Sequence, residues 1–165
     1  MYDVTAIGEV LIDFSPINIQ GLRNPLFEQN PGGALANVLA CLSKLGCKTS
    51  IIGKVGEDQF GNFLKKSLDE VGVETQGLTT TDRCGTTLAF VHIDKSGDRS
   101  FSFYRNPGAD LMLDKEDLPY QLIKDCRIFH FGSTSMRGLS SNGTENRNKQ
   151  SILYQQHKNA RENDI

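Results

Sequence analysis

Between Pro31 and Gly61 a pair of glycines opens a helical pattern that is followed by a β-like run, and this order restricts the fold more than any other feature. Apolar residues after Gly33 recur at helical spacing and predict an amphipathic helix that ends at Leu45. A β-branched run at 49–55 follows, and Asp58 is a plausible N-cap for a second helix. Such alternation predicts an α/β fold with a mostly parallel sheet covered by helices on both faces.

Each predicted helix has one apolar face that we expect to be buried. These faces consist of Leu35, Val38, Leu39, Leu42 and Leu45 in the first helix, and of Phe60, Phe63, Leu64, Leu68 and Val71 in the second. Gly46 and Gly72 follow as C-terminal caps. Apolar runs at 4–10 and 127–132 predict further strands, the latter preceded by a short helix near 116–125.

The paired glycines predict a binding turn for a small polar ligand. Gly32 and Gly33 can adopt backbone angles closed to other residues and let a ligand approach the main chain. The first amides of the helix have no partner inside it and point outward at its positive end, where hydroxyls or an anion could bind. Asn37 leans back over the turn and offers donors and an acceptor. The segment alone is equally typical of a tight strand-to-helix turn with a solvent-facing Asn37.

The glycine pattern also excludes two nucleotide-binding motifs. The chain contains neither the dinucleotide fingerprint G-x-G-x-x-G nor the P-loop G-x-x-x-x-G-K-[ST]. Ligands of parallel sheets bind at the carboxyl ends of the strands. We therefore expect the glycine turn and the segment 132–135 to lie at that edge.

A second β region interrupts the alternation of strands and helices. Segments 86–93 and 99–105 are β patterns joined by a polar turn at 94–98, which predicts a hairpin. A two-stranded hairpin is marginal alone, and segment 11–16 is a candidate third strand. Together they predict a small sheet that covers a site or pairs with another subunit through its exposed edge.

Several side chains of this region are suited to a polar ligand. Phe101, Phe103 and Arg105 share one face of their strand because side chains alternate along it. Asp13 lies in the candidate third strand. Taken singly, Asp13 is as typical of a turn cap, and Arg105 of a solvated charge at a strand end.

Composition and charge exclude several classes of function. The formal net charge is -2 and no basic tract is present, which argues against a nucleic-acid partner. The sequence has no apolar run long enough to cross a bilayer and no charged-then-apolar leader, which argues against a membrane partner. Its four cysteines lack the paired spacing of a zinc site and predict reduced thiols. We expect a cytoplasmic protein without a metal site in this chain.

Five segments resemble, in the same order, the N-terminal half of ribokinase-like (PfkB-type) carbohydrate kinases, and most of all the bacterial fructokinases. They are GEVLIDF from Gly8, NPGGALANVLACLSKLG from Asn30, GKVGEDQFG from Gly53, FSFYRNPGAD from Phe101 and FHFGS from Phe129. The resemblance implies a ribokinase-like α/β fold, a mostly parallel central sheet flanked by helices, with a small β-sheet lid formed by strands near 10–16 and 86–105. It also implies ATP- and Mg²⁺-dependent transfer of the γ-phosphoryl group to a hydroxyl of fructose or a similar sugar.

The resemblance assigns sugar-binding roles to six residues. Asp13, taken at the end of the first strand, would accept hydrogen bonds from sugar hydroxyls. Gly32 and Gly33 would bring the backbone against the sugar, and the Asn37 amide would bind further hydroxyls. Phe103 and Arg105 would reach the sugar from the lid. Glu57 and Asp58 also match the family pattern, and we expect them to be helix-start residues without a chemical role.

The chain departs from the family at its C-terminal end. The catalytic base of these kinases lies in a D-T-x-G-A-G-D motif that is absent here. We therefore expect residues 1–165 to be the N-terminal part of a single ribokinase-like domain whose last predicted helix is 148–163. The base, the nucleotide pocket and the metal-associated residues would lie in the missing half, and phosphoryl transfer needs both substrates positioned together.

Three interpretations of the chain stay open. It is a fructokinase-like kinase, a kinase for ketodeoxygluconate, ribose or a nucleoside, or a non-catalytic fragment that binds sugar or dimerises. Because a kinase for an acid sugar would favour Tyr at position 103, Phe103 weighs against that acceptor. The exposed edges of the predicted lid also suggest a homodimer.

Overall fold

The computed structural model describes residues 1–17, 19, 24 and 26–132, which form two four-stranded sheets and the helices packed against them. The strands are β1 Tyr2–Ile7, β2 Leu11–Ile17, β3 Leu26–Gly32, β4 Thr49–Gly56, β5 Val73–Thr81, β6 Leu88–Ile93, β7 Arg99–Tyr104 and β8 Cys126–Phe131. The helices are α1 Ala34–Lys44, α2 Gln59–Glu70 and α3 Tyr120–Lys124, with 3₁₀ turns at Ala109–Met112 and Lys115–Asp117. The predicted helix 148–163 and residues 133–135 lie outside the described part.

The central sheet is parallel throughout, with strand order β5-β4-β1-β8. On one face, apolar residues of β1 and β4 pack against α1 and α2. On the other face, Ile7 and Ile52 pack against Leu122 and Ile123 of α3. The predicted parallel sheet with helices on both faces is therefore confirmed. Strand β5 was not predicted, because its sequence VETQGLTTT contains no continuous apolar run.

Helix α1 confirms the predicted position of the helix and corrects its buried face. Gly33 is the N-cap, and Gly46 follows the helix with φ +90°, the left-handed conformation expected of a glycine cap. The side chains of Leu35 and Leu39 are buried as predicted. Val38 is 43% exposed and Leu45 76% exposed, so their assignment to the core was wrong. The helix buries a narrow stripe, and Leu45 lies beyond the last helical residue.

The second sheet has strand order β3-β2-β6-β7. Strands β6 and β7 form the predicted antiparallel hairpin, and β2 pairs in parallel with β6. Strand β3 pairs antiparallel with β2 and was not predicted, since LFEQNPG contains two apolar residues and a proline. The glycine turn therefore leaves an antiparallel strand. Asp13 lies within β2 of this sheet, so its placement at the end of the first strand was wrong.

Asp58 joins α2 to the base of the second sheet. It is the predicted N-cap of α2, and its Oδ1 accepts a hydrogen bond from the Gly61 amide at 2.8 Å. The same carboxylate also accepts from Thr86, at 2.8 Å from the amide and 2.7 Å from the hydroxyl. Burial raises the pKa of Asp58, but the hydrogen bonds from Thr86 and Gly61 outweigh it and hold the pKa below its ordinary value.

We expect Asp58→Asn to destabilise the chain by about 1–2 kcal/mol at neutral pH, because Asn cannot accept all three hydrogen bonds. A carboxyl whose pKa is lowered on folding stabilises the fold above its unfolded value of 3.8 and loses that effect as the pH falls through the folded value. Urea unfolding at pH 7 and below pH 4 should therefore show a difference that shrinks with acid. Glu57→Gln, at the exposed neighbour, is the control and should change little. An equal loss of unfolding free energy at both pH values would contradict the role of the ionised Asp58 carboxylate as the hydrogen-bond acceptor.

Candidate functional site

A row of four residues crosses the second sheet on the face that carries Asp13. Asn30 of β3 is paired with Asp13 of β2, Asp13 with Ala89 of β6, and Ala89 with Phe103 of β7. Paired residues of neighbouring strands project to the same face of a sheet. Ala89 is fully buried and small, whereas the ring of Phe103 is 56% exposed. The sheet therefore presents an amide, a carboxylate and an aromatic ring in line on one face.

The carboxylate of Asp13 lies directly against the glycine turn. A methyl group added to Gly32 would overlap Asp13 Oδ2, so only glycine leaves room for the carboxylate in this position. Asp13 is half-buried, and burial raises the pKa of its carboxyl above the ordinary value of 3.8. The contact places a hydrogen-bond acceptor, which a site for hydroxyls requires, beside the backbone of the turn, whose two glycines are themselves buried.

Gly33 makes the sharp turn from β3 into α1. Its φ of +112° is a backbone conformation that L side chains rarely adopt, and a methyl group there would overlap the backbone carbonyl of Glu9. The amides at the start of α1 follow directly and carry the positive end of the helix dipole. The turn lies next to the carboxyl end of the central sheet, because Gly132, just past β8, packs against Leu35 of α1. That confirms the expected edge for the described part of the chain.

Asn37 lies in the first turn of α1. Its backbone amide donates to the Gly33 carbonyl at 3.0 Å, and its side chain is exposed. The predicted polar side of the helix is thus confirmed. The role of the Asn37 amide in holding a ligand stays a prediction.

Arg105 follows β7 and is held by a buried carboxylate. Its Nη2 donates to Asp110 Oδ2 at 2.5 Å, and its Nε lies 3.5 Å from the hydroxyl oxygen of Thr87. The guanidinium carbon is 5.8 Å from the centroid of the Phe103 ring, close enough for a cation–π contact. The predicted shared face of Phe103 and Arg105 is consistent with this contact. A guanidinium has five N–H donors, so the ion pair does not exhaust its capacity to bind a ligand.

Sequence reasoning missed three residues of this region. Asn30 belongs to a strand that was not predicted, although the residue opens one of the resembling segments. Thr87 and Asp110 are 1% and 3% exposed and hydrogen-bonded to each other across 23 residues of chain. Asp110 closes the segment FSFYRNPGAD, and an acidic residue shortly after an arginine was the signal available for it.

The arrangement is suited to binding a neutral polyol. A carboxylate, an amide and backbone amides offer acceptors and donors at fixed positions, and an aromatic ring beside them can cover apolar C–H groups.

In residues 1–17 and 26–132, no group of three or more His, Cys, Asp or Glu side chains could hold a metal ion. No helix of the described chain is long and apolar enough to span a bilayer.

Comparisons with known proteins agree with this architecture. A family model described as pfkB family carbohydrate kinase matches residues 1–160. Over 136 residues the chain is 44% identical to a probable chloroplastic fructokinase-6 of Arabidopsis thaliana, an alignment that covers 81% of this chain and 35% of the relative.

Solved structures give the same result for the fold. A fructokinase from Xylella fastidiosa is similar with a TM-score of 0.80 and 35% identity, covering 94% of this chain and 48% of that one. A fructokinase structure from the same organism with bound ATP has a TM-score of 0.78 and 35% identity, covering 94% of this chain and 49% of that one. The chain spans half the length, or less, of these proteins.

Proposed function

We propose that this chain, which belongs to the pfkB family of carbohydrate kinases, forms the sugar-binding part of an ATP-dependent kinase. The acceptor would be fructose or a similar sugar. The fold agrees with the ribokinase-like architecture expected from the sequence. The observation that carries the proposal is the Asp13 carboxylate set against the Gly32 backbone, at the turn into α1. Support for the acceptor comes from relatives and neighbours named as fructokinases.

In the proposed complex, this chain binds and orients the sugar. Asp13 accepts hydrogen bonds from sugar hydroxyls, and the backbone of Gly32 and Gly33 approaches the sugar closely. Asn37 binds further hydroxyls from α1. Phe103 and Arg105 act from the second sheet, which serves as a lid and reduces access of water to the reacting hydroxyl. Fixing the hydroxyl in one position is the contribution that phosphoryl transfer requires of this side of the site.

ATP supplies the γ-phosphoryl group, and Mg²⁺ neutralises its charge in such reactions. The donor set of the described residues does not fit a metal ion, and the chain has no phosphate-binding glycine motif. We therefore propose that the nucleotide, the metal and the catalytic base are held by a second part of the kinase, outside the residues that the structure describes. Activity then requires that second part, whereas sugar binding does not.

The ion pair between Arg105 and Asp110 favours a neutral acceptor over a sugar acid. A substrate carboxylate would meet a guanidinium whose charge is already balanced by the buried Asp110 carboxylate, 2.5 Å from its Nη2. Phe103 offers no hydroxyl to a substrate carboxylate either. Both residues support fructose over ketodeoxygluconate as the acceptor.

We also propose a homodimer through the second sheet and a cytoplasmic location. The half of the sheet farthest from the glycine turn exposes apolar side chains, namely Ile17, Leu26, Ile93 and Phe101, and its outer strands β3 and β7 have free edges within the described chain. A second copy would cover both. Sedimentation that gives a monomer at high concentration would contradict the dimer. The four cysteines, all in the described part of the chain, form no disulfide with one another, as a reducing compartment allows.

Calorimetric titration of this chain with fructose, ribose, ketodeoxygluconate and adenosine tests the proposed sugar site. We expect fructose to bind most tightly, and we expect a coupled assay to detect no phosphorylation by the 18.3 kDa chain alone. A longer protein that contains this chain and the D-T-x-G-A-G-D segment should phosphorylate fructose. Turnover by the 18.3 kDa species would contradict the need for a second part. Preference for another acceptor would refute fructose as the substrate.

A further inference from the structure

Two adjacent threonines at the base of β6 are held by aspartates from different elements. Thr86 donates through its amide and hydroxyl to Asp58 at the start of α2. Thr87 donates to Asp110 Oδ1 at 2.5 Å, and its carbonyl accepts from the Ile12 amide of β2 at 3.0 Å. The base of β6 is therefore fixed to α2, to β2 and to the 3₁₀ turn that contains Asp110.

Asp110 connects the second sheet to the central one. Its 3₁₀ turn, Ala109–Met112, packs against β4 of the central sheet, and the Ala109 amide donates to the Gly85 carbonyl at 3.0 Å. The side chain of Asp110 is 0% exposed and that of Arg105 is 18% exposed. A methyl group on Gly108 would overlap the Thr87 hydroxyl, so only glycine allows the backbone at this position to lie so close to Thr87. The two oxygens of Asp110 thus join the start of β6 to the end of β7.

A contribution to the stability of the fold does not by itself explain the buried Asp110 carboxylate. Burial raises the pKa of Asp110, and the nearby Glu9 carboxylate adds to the rise, although Thr87 and Arg105 oppose both effects. Buried ion pairs are often no better for stability than apolar side chains of the same size. An Arg–carboxylate contact does, however, fix the orientation of a planar guanidinium.

We propose that Asp110 is a positioning residue of the sugar site: together with Thr87 it orients Arg105, and through Arg105 the ring of Phe103, on the face that carries Asp13. This inference rests on the proposed function, from which it takes the sugar as the ligand. The chain of contacts is continuous, from Asp110 Oδ2 to Arg105 Nη2 and from the guanidinium to the Phe103 ring. From Phe103 the strand pairing leads through Ala89 to Asp13.

A double-mutant cycle on the full 165-residue chain tests this role. Asp110→Asn should weaken fructose binding about tenfold, equal to a loss of about 1.4 kcal/mol. Arg105→Gln should weaken it at least as much, and adding Asp110→Asn to Arg105→Gln should cause little further loss, because both changes break one linkage. Asp3→Asn, which breaks the exposed ion pair with Arg127, is the control and should leave the affinity unchanged.

Two variants of Thr87 test the same role if Asp110→Asn does not fold. Thr87→Val removes the hydroxyl with almost no change of shape and should weaken fructose binding in the same direction, whereas Thr87→Ser should restore it. A purely structural role would lower the urea midpoint of Thr87→Val without changing affinity in conditions where the variant is folded. That result would overturn the proposal, as would additive losses in the cycle.

Nuclear magnetic resonance gives a readout that does not depend on the sugar. In the wild-type chain, we expect the Arg105 Nε–H to exchange slowly and the Phe103 ring resonances to be shifted by the guanidinium. Asp110→Asn should speed that exchange and move the ring resonances. If the wild-type chain binds no fructose but these signals respond, the proposed substrate fails and the positioning role stands. If fructose binds but the Phe103 signals do not respond to Asp110→Asn, the positioning role is refuted.

Discussion

Asp13→Asn should reduce fructose affinity roughly a hundredfold, a loss of about 2–3 kcal/mol, while the chain stays folded. The carboxylate is half-buried beside Gly32, where it can accept two hydrogen bonds from neighbouring hydroxyls of one sugar. Asn has nearly the same shape but replaces one acceptor with a donor. Calorimetric titration with fructose measures the loss directly. Asp98→Asn, in the turn at the far end of the same sheet, is the control and should bind fructose as the wild-type chain does.

Stability should change in the opposite direction from affinity. Burial raises the pKa of Asp13, so the folded state favours the protonated carboxyl. Any stability from this group is fully present below 3.8, the unfolded value, and is lost as the pH rises through the folded value. At neutral pH the ionised carboxylate therefore destabilises the folded chain, and Asp13→Asn should raise the urea midpoint of the chain slightly.

The pH dependence of binding follows from the same shift. In the proposed complex the ionised form of Asp13 accepts the hydrogen bonds of the sugar. Fructose affinity should therefore fall on acidification with a midpoint above 3.8, and Asp13→Asn should remove that dependence. If Asp13→Asn bound fructose normally, the sugar would have to lie elsewhere on the molecule.

Strands β1 and β4 of the central sheet were predictable because they are mostly buried, and helices α1 and α2 because their ends carry recognisable caps. The run 49–55 contains four β-branched residues among seven, and Asp58, Gly46 and Gly72 mark the helix ends. Strands β3 and β5 were missed because LFEQNPG and VETQGLTTT contain only two apolar residues each. Their sequences therefore lack the periodicity that sequence reasoning uses.

The candidate site was predictable only where its chemistry lies on one short segment. Alternation along β7 placed Phe103 and Arg105 together, and the paired glycines marked the turn. The carboxylate that holds Arg105 was not recognised, because a buried hydrogen bond between Thr87 and Asp110 leaves no local pattern in the chain. Tertiary contacts of this kind follow from the path of the backbone, which the sequence predicts least well.

Gly33→Ala should be the most destabilising single substitution considered, with a loss of about 2–5 kcal/mol in the free energy of unfolding. Two costs add at this position. An alanine would be strained at φ +112°, and its methyl group would overlap the Glu9 carbonyl, which is backbone and cannot rotate away. Urea unfolding followed by circular dichroism measures the total.

Gly46→Ala separates those two costs. Gly46 also has a left-handed φ, +90°, but no atom lies within 4 Å of the position that a methyl group would take. It should therefore lose only the strain energy, about 1–2 kcal/mol. The difference between the two variants gives the energy of the overlap with Glu9, and hence how tightly the turn into α1 is packed against the chain after β1. Equal losses would mean that the backbone relaxes around Gly33, and a turn that relaxes so easily could not hold a sugar against Asp13.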